Sequence, residues 1–220
     1  MEIKEADMSR IGVLGSGGVG QTLAGGFRTH GHDVRIGSRS PEKLEAFATA
    51  AGVGRGTFAE VAAWGELLVL AVRGAGAQDA LTLAGAGNVD GKVIIDTTNP
   101  ISDAPPVNGV LQYFTGPNNS LMEQLQQAFP GARLVKAFNS VNMGSMVNPS
   151  FEGGRPTMFY CGNDPAARET VRRVIEDFGW EPADMGMAEA ARAIEPLAQL
   201  VCIPGFLRNS WAQALRMLWT

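Results

Sequence analysis

The sequence predicts an α/β fold with a doubly wound, mainly parallel sheet, and three observations support this prediction. Strand-like runs alternate with helix-like patterns from residue 10 to about residue 185. Two of the runs, Leu67–Val72 and Lys92–Asp96, are almost continuously apolar, as expected for strands that are covered on both faces. The chain has 220 residues, of which 45% are hydrophobic, and this is enough for one such domain with a small addition.

The strands and the first helix follow from local patterns. Arg10–Leu14 is the first predicted strand, and Val19, Leu23 and Phe27 then recur at the spacing of one helix face. The other predicted strands are Asp33–Ile36, Leu67–Val72, Lys92–Asp96, Ala132–Phe138, Thr157–Cys161 and Glu181–Asp184.

Four further helices carry start signals. Two of them begin with a capping residue followed by a proline, which fits the first helical position because its missing N–H has no intrahelical partner there. The other two have the spacing of a capping box. The pairs concerned are Ser40–Pro41, Asp164–Pro165, Thr57–Glu60 and Ser120–Glu123.

Two long irregular stretches, Thr97–Asn119 and Asn139–Arg155, each follow a predicted strand. Loops of this length inside a compact domain are usually functional. Because both follow the ends of parallel strands, we expect both to lie at the carboxyl edge of the sheet, where open α/β folds bind ligands.

The domain organisation is predicted as a nucleotide-binding domain over residues 9–185 and a small helical segment over residues 186–220. In the second part we expect two helices, at about Ala188–Leu200 and Gly205–Leu218, with Pro196 kinking or breaking the first. These helices are rich in Leu, Trp and Met, which predicts a homodimer contact or a lid.

Composition excludes several classes of partner. A net charge of −4 leaves no strongly basic surface for nucleic acid. Cys161 and Cys202 have neither metal-site spacing nor the density of a disulfide scaffold, so no metal site is predicted and the thiols are expected to be structural. The first residues lack a hydrophobic segment, and we expect no run of about 18 apolar residues. The sequence therefore predicts a cytoplasmic protein without a membrane partner.

A glycine-rich motif lies between the first predicted strand and the first predicted helix. It consists of Gly15, Ser16, Gly17, Gly18, Val19 and Gly20, which fit G-x-G-x-x-G. Gly15 permits the tight turn, Gly17 lets the backbone approach a pyrophosphate, and Gly20 allows close packing of helix on strand. The helix N-terminus adds free N–H groups and the positive end of its dipole. In this context the motif predicts a Rossmann-type dinucleotide site.

The end of the second predicted strand indicates which dinucleotide is bound. NAD-binding units commonly place an acidic residue there to hold the ribose hydroxyls, and this chain has none. It has instead two hydroxyls, a guanidinium and an ammonium, at Ser38, Ser40, Arg39 and Lys43. Charge-assisted hydrogen bonds to a 2′-phosphate contribute about 1.5–3 kcal/mol each. The sequence therefore predicts NADP(H) rather than NAD(H).

Residues Gly12–Leu44 resemble the N-terminal part of the NADP oxidoreductase, coenzyme F420-dependent family. The resemblance continues, in the same order, through Val93–Pro100, Val135–Asn142, Phe159–Pro182 and Ala191–Leu200. Members of this family pass a hydride between NADPH and a deazaflavin, and the reductase domains of some membrane ferric reductases are relatives. The resemblance thus implies an NADP-dependent oxidoreductase.

The resemblance also implies further cofactor contacts beyond the glycine motif and the second-strand end. Ala71, Val72 and Arg73 match the segment that lies along the cofactor, and Asn99, Pro100, Ala137, Phe138 and Asn139 match the nicotinamide end. The chain departs from the family in the long loop Ser102–Asn119. The hydride acceptor implied is a small molecule, with coenzyme F420 first and another flavin or a small organic acceptor as alternatives.

No catalytic acid–base pair is evident, and hydride transfer between two rings depends mainly on positioning. Lys136, Asn139 and Asn142 are expected near the carboxyl end of a strand, where they could contact the carboxamide or an acceptor carbonyl. Asp96 is expected to pair with backbone donors. Two alternatives remain, namely a reductase of small carbonyls or imines and a non-catalytic NADPH-binding sensor.

Overall fold

Eight strands and eight α-helices alternate along residues 9–218, the part of the chain that the computed structural model describes. The strands are β1 (Arg10–Leu14), β2 (Asp33–Gly37), β3 (Gly54–Gly56), β4 (Leu67–Leu70), β5 (Val93–Asp96), β6 (Arg133–Lys136), β7 (Thr157–Tyr160) and β8 (Glu181–Asp184). The helices are α1 (Gly18–Thr29), α2 (Glu45–Ala51), α3 (Phe58–Trp64), α4 (Ala77–Ala84), α5 (Ala86–Val89), α6 (Leu121–Ala128), α7 (Pro165–Asp177) and α8 (Ala191–Arg208). Each strand predicted from the sequence is confirmed within one or two residues at its ends.

The first six strands form one sheet in the order β3-β2-β1-β4-β5-β6, and every pairing in it is parallel. The strand order reverses between β1 and β4, so the loops that leave these two strands diverge and open a crevice at the carboxyl edge. The Rossmann-type, doubly wound fold is confirmed.

The two faces of the sheet bury different sets of helices because successive side chains of a strand point to opposite faces. Val13, Ile36 and Ile95 pack with apolar residues of α1, α2 and α7 on one face. Leu68 and Ile94 pack with residues of α3, α4, α6 and α8 on the other. The long loops after β5 and β6 both leave from the carboxyl edge, as predicted.

Two features of the sheet differ from the sequence expectation. The edge strand Gly54–Gly56 has the sequence GRG, which carries no apolar signal, and it was not predicted. In addition, β7 and β8 pair only with each other and form a separate two-stranded parallel sheet. This pair meets the large sheet at one antiparallel bridge between Lys136 and Cys161.

The predicted helix starts are confirmed at three of four positions. Thr57 and Glu60 form a complete capping box, and the side chains of Ser120 and Asp164 accept bonds from N–H groups three residues on. Ser40 is the exception. Its side chain makes no capping bond, because the chain enters through a short 3₁₀ turn, Pro41–Leu44, before α2 begins.

The C-terminal prediction of two helices is wrong. One helix, α8, runs through Pro196 and Pro204 to Arg208, so Pro196 does not break it. Asn209 then adopts a left-handed conformation with φ of 51° and ends the helix. Residues 209–218 form an irregular segment, named here the C-terminal strap, because its backbone bonds to the edge of β7: Thr157 N–H donates to Leu215 O over 2.8 Å. The final two residues of the predicted second part lie outside the described residues.

One helical stretch reaches the length and mean hydropathy of a membrane span, although charged residues interrupt its apolar sequence. Residues Ala188–Arg208 form a helical stretch of 21 residues whose mean hydropathy reaches 1.2 over an 18-residue window, and 33% of that window is buried. Two charged residues within it, Arg192 and Glu195, are paired with groups on α6. Two apolar residues of the stretch, Ala191 and Ile194, belong to the core cluster that includes Leu68 and Ile94 of the sheet.

Candidate functional site

A cleft lies at the carboxyl edge of the sheet, where the strand order reverses. It has two chambers that share Gly17, Ala71, Val72, Arg73 and other residues. The larger, of about 880 Å³, extends to the end of β2 and is named the cationic chamber because Arg39 and Lys43 line it. The smaller, of about 510 Å³, extends to Asn99 and is named the central chamber. Their combined size suits a ligand that is larger than a single ring system.

The glycine motif has the geometry that a bound pyrophosphate requires. A Cβ at Gly15 or Gly20 would overlap a backbone carbonyl oxygen, that of Ala71 or of Gly15 respectively, so these two glycines are needed for packing. A Cβ at Gly17 would meet no atom within 4 Å, and Gly17 lines both chambers. Packing therefore does not explain Gly17, whereas close approach of a ligand does.

The N-terminus of α1 is prepared for an anion. No side chain caps it and no acidic residue lies in its first turn. The first N–H groups of a helix have no intrahelical partner, and the helix dipole makes this end positive. An anionic group in the cleft would supply the missing acceptors.

The end of β2 brings the four predicted residues together, and all four line the cationic chamber. Ser38 is 8% exposed, and its hydroxyl accepts the Ser40 N–H over 3.1 Å, which fixes the turn. Arg39 and Lys43 are exposed, and no ion pair is formed by either within residues 9–218. Two exposed cations that line the same chamber and form no ion pair within residues 9–218 fit a 2′-phosphate.

Two acidic residues, Asp79 and Asp103, also line the cationic chamber, and the sequence reasoning did not single them out. Asp79 lies in the first turn of α4, and Asp103 lies in the loop by which the chain departs from the family pattern. Nothing in their local sequence distinguishes them from ordinary surface acids.

The segment after β4 passes close to the loop after β5. Ala71, Val72 and Arg73 line both chambers, as the resemblance implied. A Cβ at Gly74 would overlap the Asn99 carbonyl oxygen, so only glycine permits this approach. The two loops thereby form one continuous wall of the cleft.

The residues expected at the nicotinamide end are only partly brought together. The Asn99 side chain donates to the Asn139 carbonyl over 2.7 Å, and the Asn139 side chain donates to Asn99 Oδ1 over 2.9 Å. Phe138 has a φ of 58°, a strained conformation for a bulky residue and one that is often found at functional sites. Pro100 and Ala137 are buried and line neither the cationic nor the central chamber, so direct contact with a ligand in these chambers would require movement.

Lys136 does not face the cleft, contrary to the sequence expectation. Its Nζ is fully buried, 2.7 Å from Asp96 Oδ2 and 3.0 Å from Glu195 Oε1, and it donates to the Thr98 carbonyl over 2.7 Å. Burial alone would lower the pKa of Lys136, but the two carboxylates outweigh this and raise it above the ordinary value. Lys136 is therefore a buried cation.

This buried triad of Asp96, Lys136 and Glu195 connects the site loop to the C-terminal helix. Asp96 Oδ1 accepts from the Thr98 N–H and hydroxyl over 2.9 and 2.6 Å, so its expected backbone bonding is confirmed. Glu195 accepts the N–H groups of Leu121 and Met122 at the start of α6, each over 3.0 Å. The triad thus fixes the loop before Asn99, and Glu195 is a residue that the sequence reasoning had missed as an ion partner.

A third space of about 200 Å³, named the inner chamber, adjoins the central chamber and shares Val19, Thr97, Asn99 and Ile101 with it. Asn142, expected near the strand end, lines this chamber, and its Oδ1 accepts the Gly144 N–H over 2.9 Å. Trp211 and Gln213 of the C-terminal strap also line it, whereas the sequence had indicated only a homodimer contact or a lid for this part of the chain.

Comparisons with known proteins agree with this geometry. The family model described as NADP oxidoreductase coenzyme F420-dependent matches residues 10–100. A crystal structure from Arthrobacter sp. FB24, provisionally described as an F420-dependent NADP-reductase, is 33% identical with a TM-score of 0.89 and covers 96% of this chain and 100% of that one.

Two further proteins resemble this chain, one in its sequence and one in its fold alone. Metalloreductase STEAP3 from Rattus norvegicus is 30% identical over 204 residues, which are 92% of this chain and 38% of the relative. This chain therefore spans less than two fifths of that relative's length. An imine reductase from Streptomyces aurantiacus has a TM-score of 0.66 at 18% identity over 90% of this chain and 63% of that one, a likeness of fold alone.

Proposed function

Because the chain belongs to the NADP oxidoreductase, coenzyme F420-dependent family, we propose that it transfers a hydride between NADP(H) and a flavin-like acceptor, with coenzyme F420 as the first candidate. The observation that carries the cofactor part of the proposal is that Arg39 and Lys43, which form no ion pair within the described residues, line a chamber that continues into the glycine motif. The family relationship carries the acceptor part.

The chain's own residues have three tasks in this proposal. The N-terminus of α1 and Gly17 hold the pyrophosphate, while Ser38, Arg39 and Lys43 hold the 2′-phosphate. The reduced nicotinamide, when bound, supplies a hydride, a proton with two electrons, so that it is oxidised while the acceptor ring takes up the hydride and a solvent proton. The walls of the central and inner chambers orient the rings and exclude water, which is the main requirement of such a transfer.

The proposal needs no acid–base pair at the rings. Among the described residues that line the inner chamber, none is charged. The central chamber is lined by one cation and one carboxylate, those of Arg73 and Asp103, and the buried triad does not line the cleft. Lys136 and Asp96 therefore act by positioning the loop Thr97–Asn99 rather than by moving a proton.

The cofactor part is tested with Arg39→Asp. We expect the dissociation constant of NADPH to rise by about a hundredfold or more, since a charge-assisted bond worth about 1.5–3 kcal/mol is replaced by repulsion. NADH has no 2′-phosphate and should lose much less affinity. Calorimetric titration of both dinucleotides measures this, with Arg173→Asp on α7 as a matched surface control. Equal weakening of NADPH and NADH by Arg39→Asp would refute the proposed 2′-phosphate site.

The acceptor part is tested by following NADPH absorbance with a panel of acceptors. We expect turnover with F420, and turnover with FMN or FAD would place the protein with another flavin. Ferric chelates belong in the panel because of the similarity to the metalloreductase STEAP3. Turnover confined to carbonyls or imines, or tight NADPH binding with no turnover, would replace the proposal with a small-molecule reductase or a sensor. A cytoplasmic location and a homodimer stay predictions.

A further inference from the structure

The inner chamber is closed by a segment that lies outside the αβ alternation. Its walls come from the loops after β5 and β6, from α8, and from the C-terminal strap, which contributes Trp211 and Gln213. It shares four residues with the central chamber but none with the cationic chamber. A ligand portion that continues from the central chamber would therefore enter the inner chamber and reach the strap.

The lining of the inner chamber defines the chemistry that it accepts. The apolar part includes Val19, Ile101, Val201 and Trp211, and four side-chain amides, those of Asn99, Asn139, Asn142 and Gln213, supply donors and acceptors. No charged side chain lines it within the described part of the chain. A volume of about 200 Å³ is below the range of about 300–1,000 Å³ typical of whole drug-sized ligands. The chamber thus suits an uncharged planar ring with polar edges, not its charged tail.

Trp211 is held in the wall by direct contact with one glycine. Gly205 lies in the last turns of α8 and is buried, and a Cβ built on it would overlap the six-membered ring of Trp211. The ring also meets Phe206 edge-on, with centroids 5.2 Å apart. Gly205 is an unfavourable helix residue, yet it is the residue that allows the indole to lie against the helix backbone.

The strap is anchored on both sides of this wall. At its start, Asn209 ends α8, and its Oδ1 accepts the Trp211 indole N–H over 3.0 Å. At its end, Leu215 O accepts the Thr157 N–H over 2.8 Å, and the Met217 N–H donates to Thr157 Oγ1 over 3.0 Å. With both ends fixed on α8 and β7, Trp211 is held between them by Asn209, Phe206 and the contact with Gly205.

We propose that Trp211, seated on Gly205, is a specificity-determining wall of the acceptor site, which selects a planar uncharged ring over small carbonyl compounds. This inference rests on the proposed function, because it takes the inner chamber as the place of the hydride acceptor. Aromatic side chains provide large contact areas at low entropic cost, and a planar ring gains most from such a surface.

The test is a double-mutant cycle with Trp211→Ala and Gly205→Ala, measured with F420 and FMN as probes. Trp211→Ala should raise KM for the planar acceptors at least tenfold and leave the dissociation constant of NADPH within twofold, since the strap does not line the cationic or central chamber. Gly205→Ala should reproduce this effect, because its new methyl group displaces the indole. In the Trp211→Ala background Gly205→Ala should have almost no further effect, since its target is gone.

Two matched variants and a binding readout accompany the cycle. Gly25→Ala on α1 places a methyl group where no atom lies within 4 Å, so it controls for a helical glycine replaced by alanine. Trp211→Phe should recover most of the affinity for the planar ring. Equilibrium titration of F420 and FMN against the NADP⁺-saturated protein, followed by their own fluorescence, reports ring binding without turnover.

The outcomes separate this inference from the proposed function. If the wild-type protein binds NADPH but neither binds nor reduces any planar ring, the proposed function fails. If the wild type reduces F420 or FMN while Trp211→Ala changes their KM and affinity less than twofold, the wall proposal is overturned alone. The wall proposal is also overturned if Gly205→Ala has its full effect in the Trp211→Ala background, because the substitution would then act through a group other than Trp211.

Discussion

The two ends of the cleft are built in opposite ways. At the end that contains the glycine motif and Arg39, the residues lie in two short stretches of sequence, and their charges and N–H groups face open space. At the end that contains Asn99 and Trp211, the residues come from five distant segments, and their side-chain amides bond to other groups of the protein. The first end leaves charged side chains and N–H groups open to a ligand. At the second end the side-chain amides are bonded within the protein and shape a wall, apart from the buried Asn139 Oδ1, which accepts no hydrogen bond within the described residues.

This difference indicates that one end of the cleft holds the charged ligand and the other end orients the ring. A charged, phosphorylated ligand can be held by local backbone features and exposed cations, and these need little support from the rest of the fold. A ring that must lie in one orientation needs rigid walls, and rigidity comes from long-range contacts such as the triad of Asp96, Lys136 and Glu195. Substitutions at the two ends should therefore separate binding from stability.

The largest effect is expected for Lys136→Met at the acceptor end. The change leaves two buried carboxylates, those of Asp96 and Glu195, without their cation, and breaking a buried pair in this way costs about 3–5 kcal/mol. Urea unfolding should show this loss in the free energy of unfolding. The control is Arg173→Met, which removes an exposed pair with Glu169 and should cost less than about 1 kcal/mol. Similar stability losses in the two variants would contradict the structural role of the triad.

A smaller effect is expected for Gly17→Ala at the dinucleotide end, where NADPH affinity should fall while stability stays unchanged. The new methyl group meets no protein atom, so the free energy of unfolding should stay within about 0.5 kcal/mol of the wild-type value. It projects toward the space where the backbone would approach a pyrophosphate, so NADPH affinity should fall at least about tenfold, or about 1.4 kcal/mol. Calorimetry and urea unfolding on the same sample measure both quantities. Unchanged NADPH affinity would show that no ligand approaches this backbone.

The smallest expected effect is a pH dependence of the free energy of unfolding, which arises from two cysteine thiols near the acceptor end. Burial raises the pKa of the Cys161 thiol from 9.0 to about 12, and burial also raises the pKa of Cys202. Above pH 9 the unfolded chain therefore loses these protons while the folded chain keeps them, so the free energy of unfolding should fall as pH rises from 9 toward 12.

Urea unfolding at pH 8, 9 and 10 measures this fall before Tyr160 dominates, because that tyrosine contributes only above its unfolded pKa of 10.0, which burial raises to about 12 in the folded chain. Cys161→Ala should flatten the slope with pH and leave the part that Cys202 contributes. A slope that is identical in Cys161→Ala and the wild type would mean that this thiol does not titrate as its burial requires.

The local sequence determined the fold class, most strands and the dinucleotide end of the cleft. Strand and helix periodicities, the glycine motif and the missing acid at the end of β2 are each readable within a few residues, because backbone conformation and side-chain charge at these positions depend on near neighbours. Even there the structure added detail, since Ser40 begins a 3₁₀ turn without capping it.

The arrangement of residues at the acceptor end was decided only by the tertiary structure. Lys136 is placed in the core rather than in the cleft because Glu195, 59 positions later in the chain, supplies a second carboxylate beside Asp96. The C-terminal strap is irregular rather than helical because its backbone satisfies the edge of β7 at Thr157. Pairings between groups so far apart in sequence leave no local pattern, and for this reason folding, not composition or periodicity, sets the shape of the inner chamber.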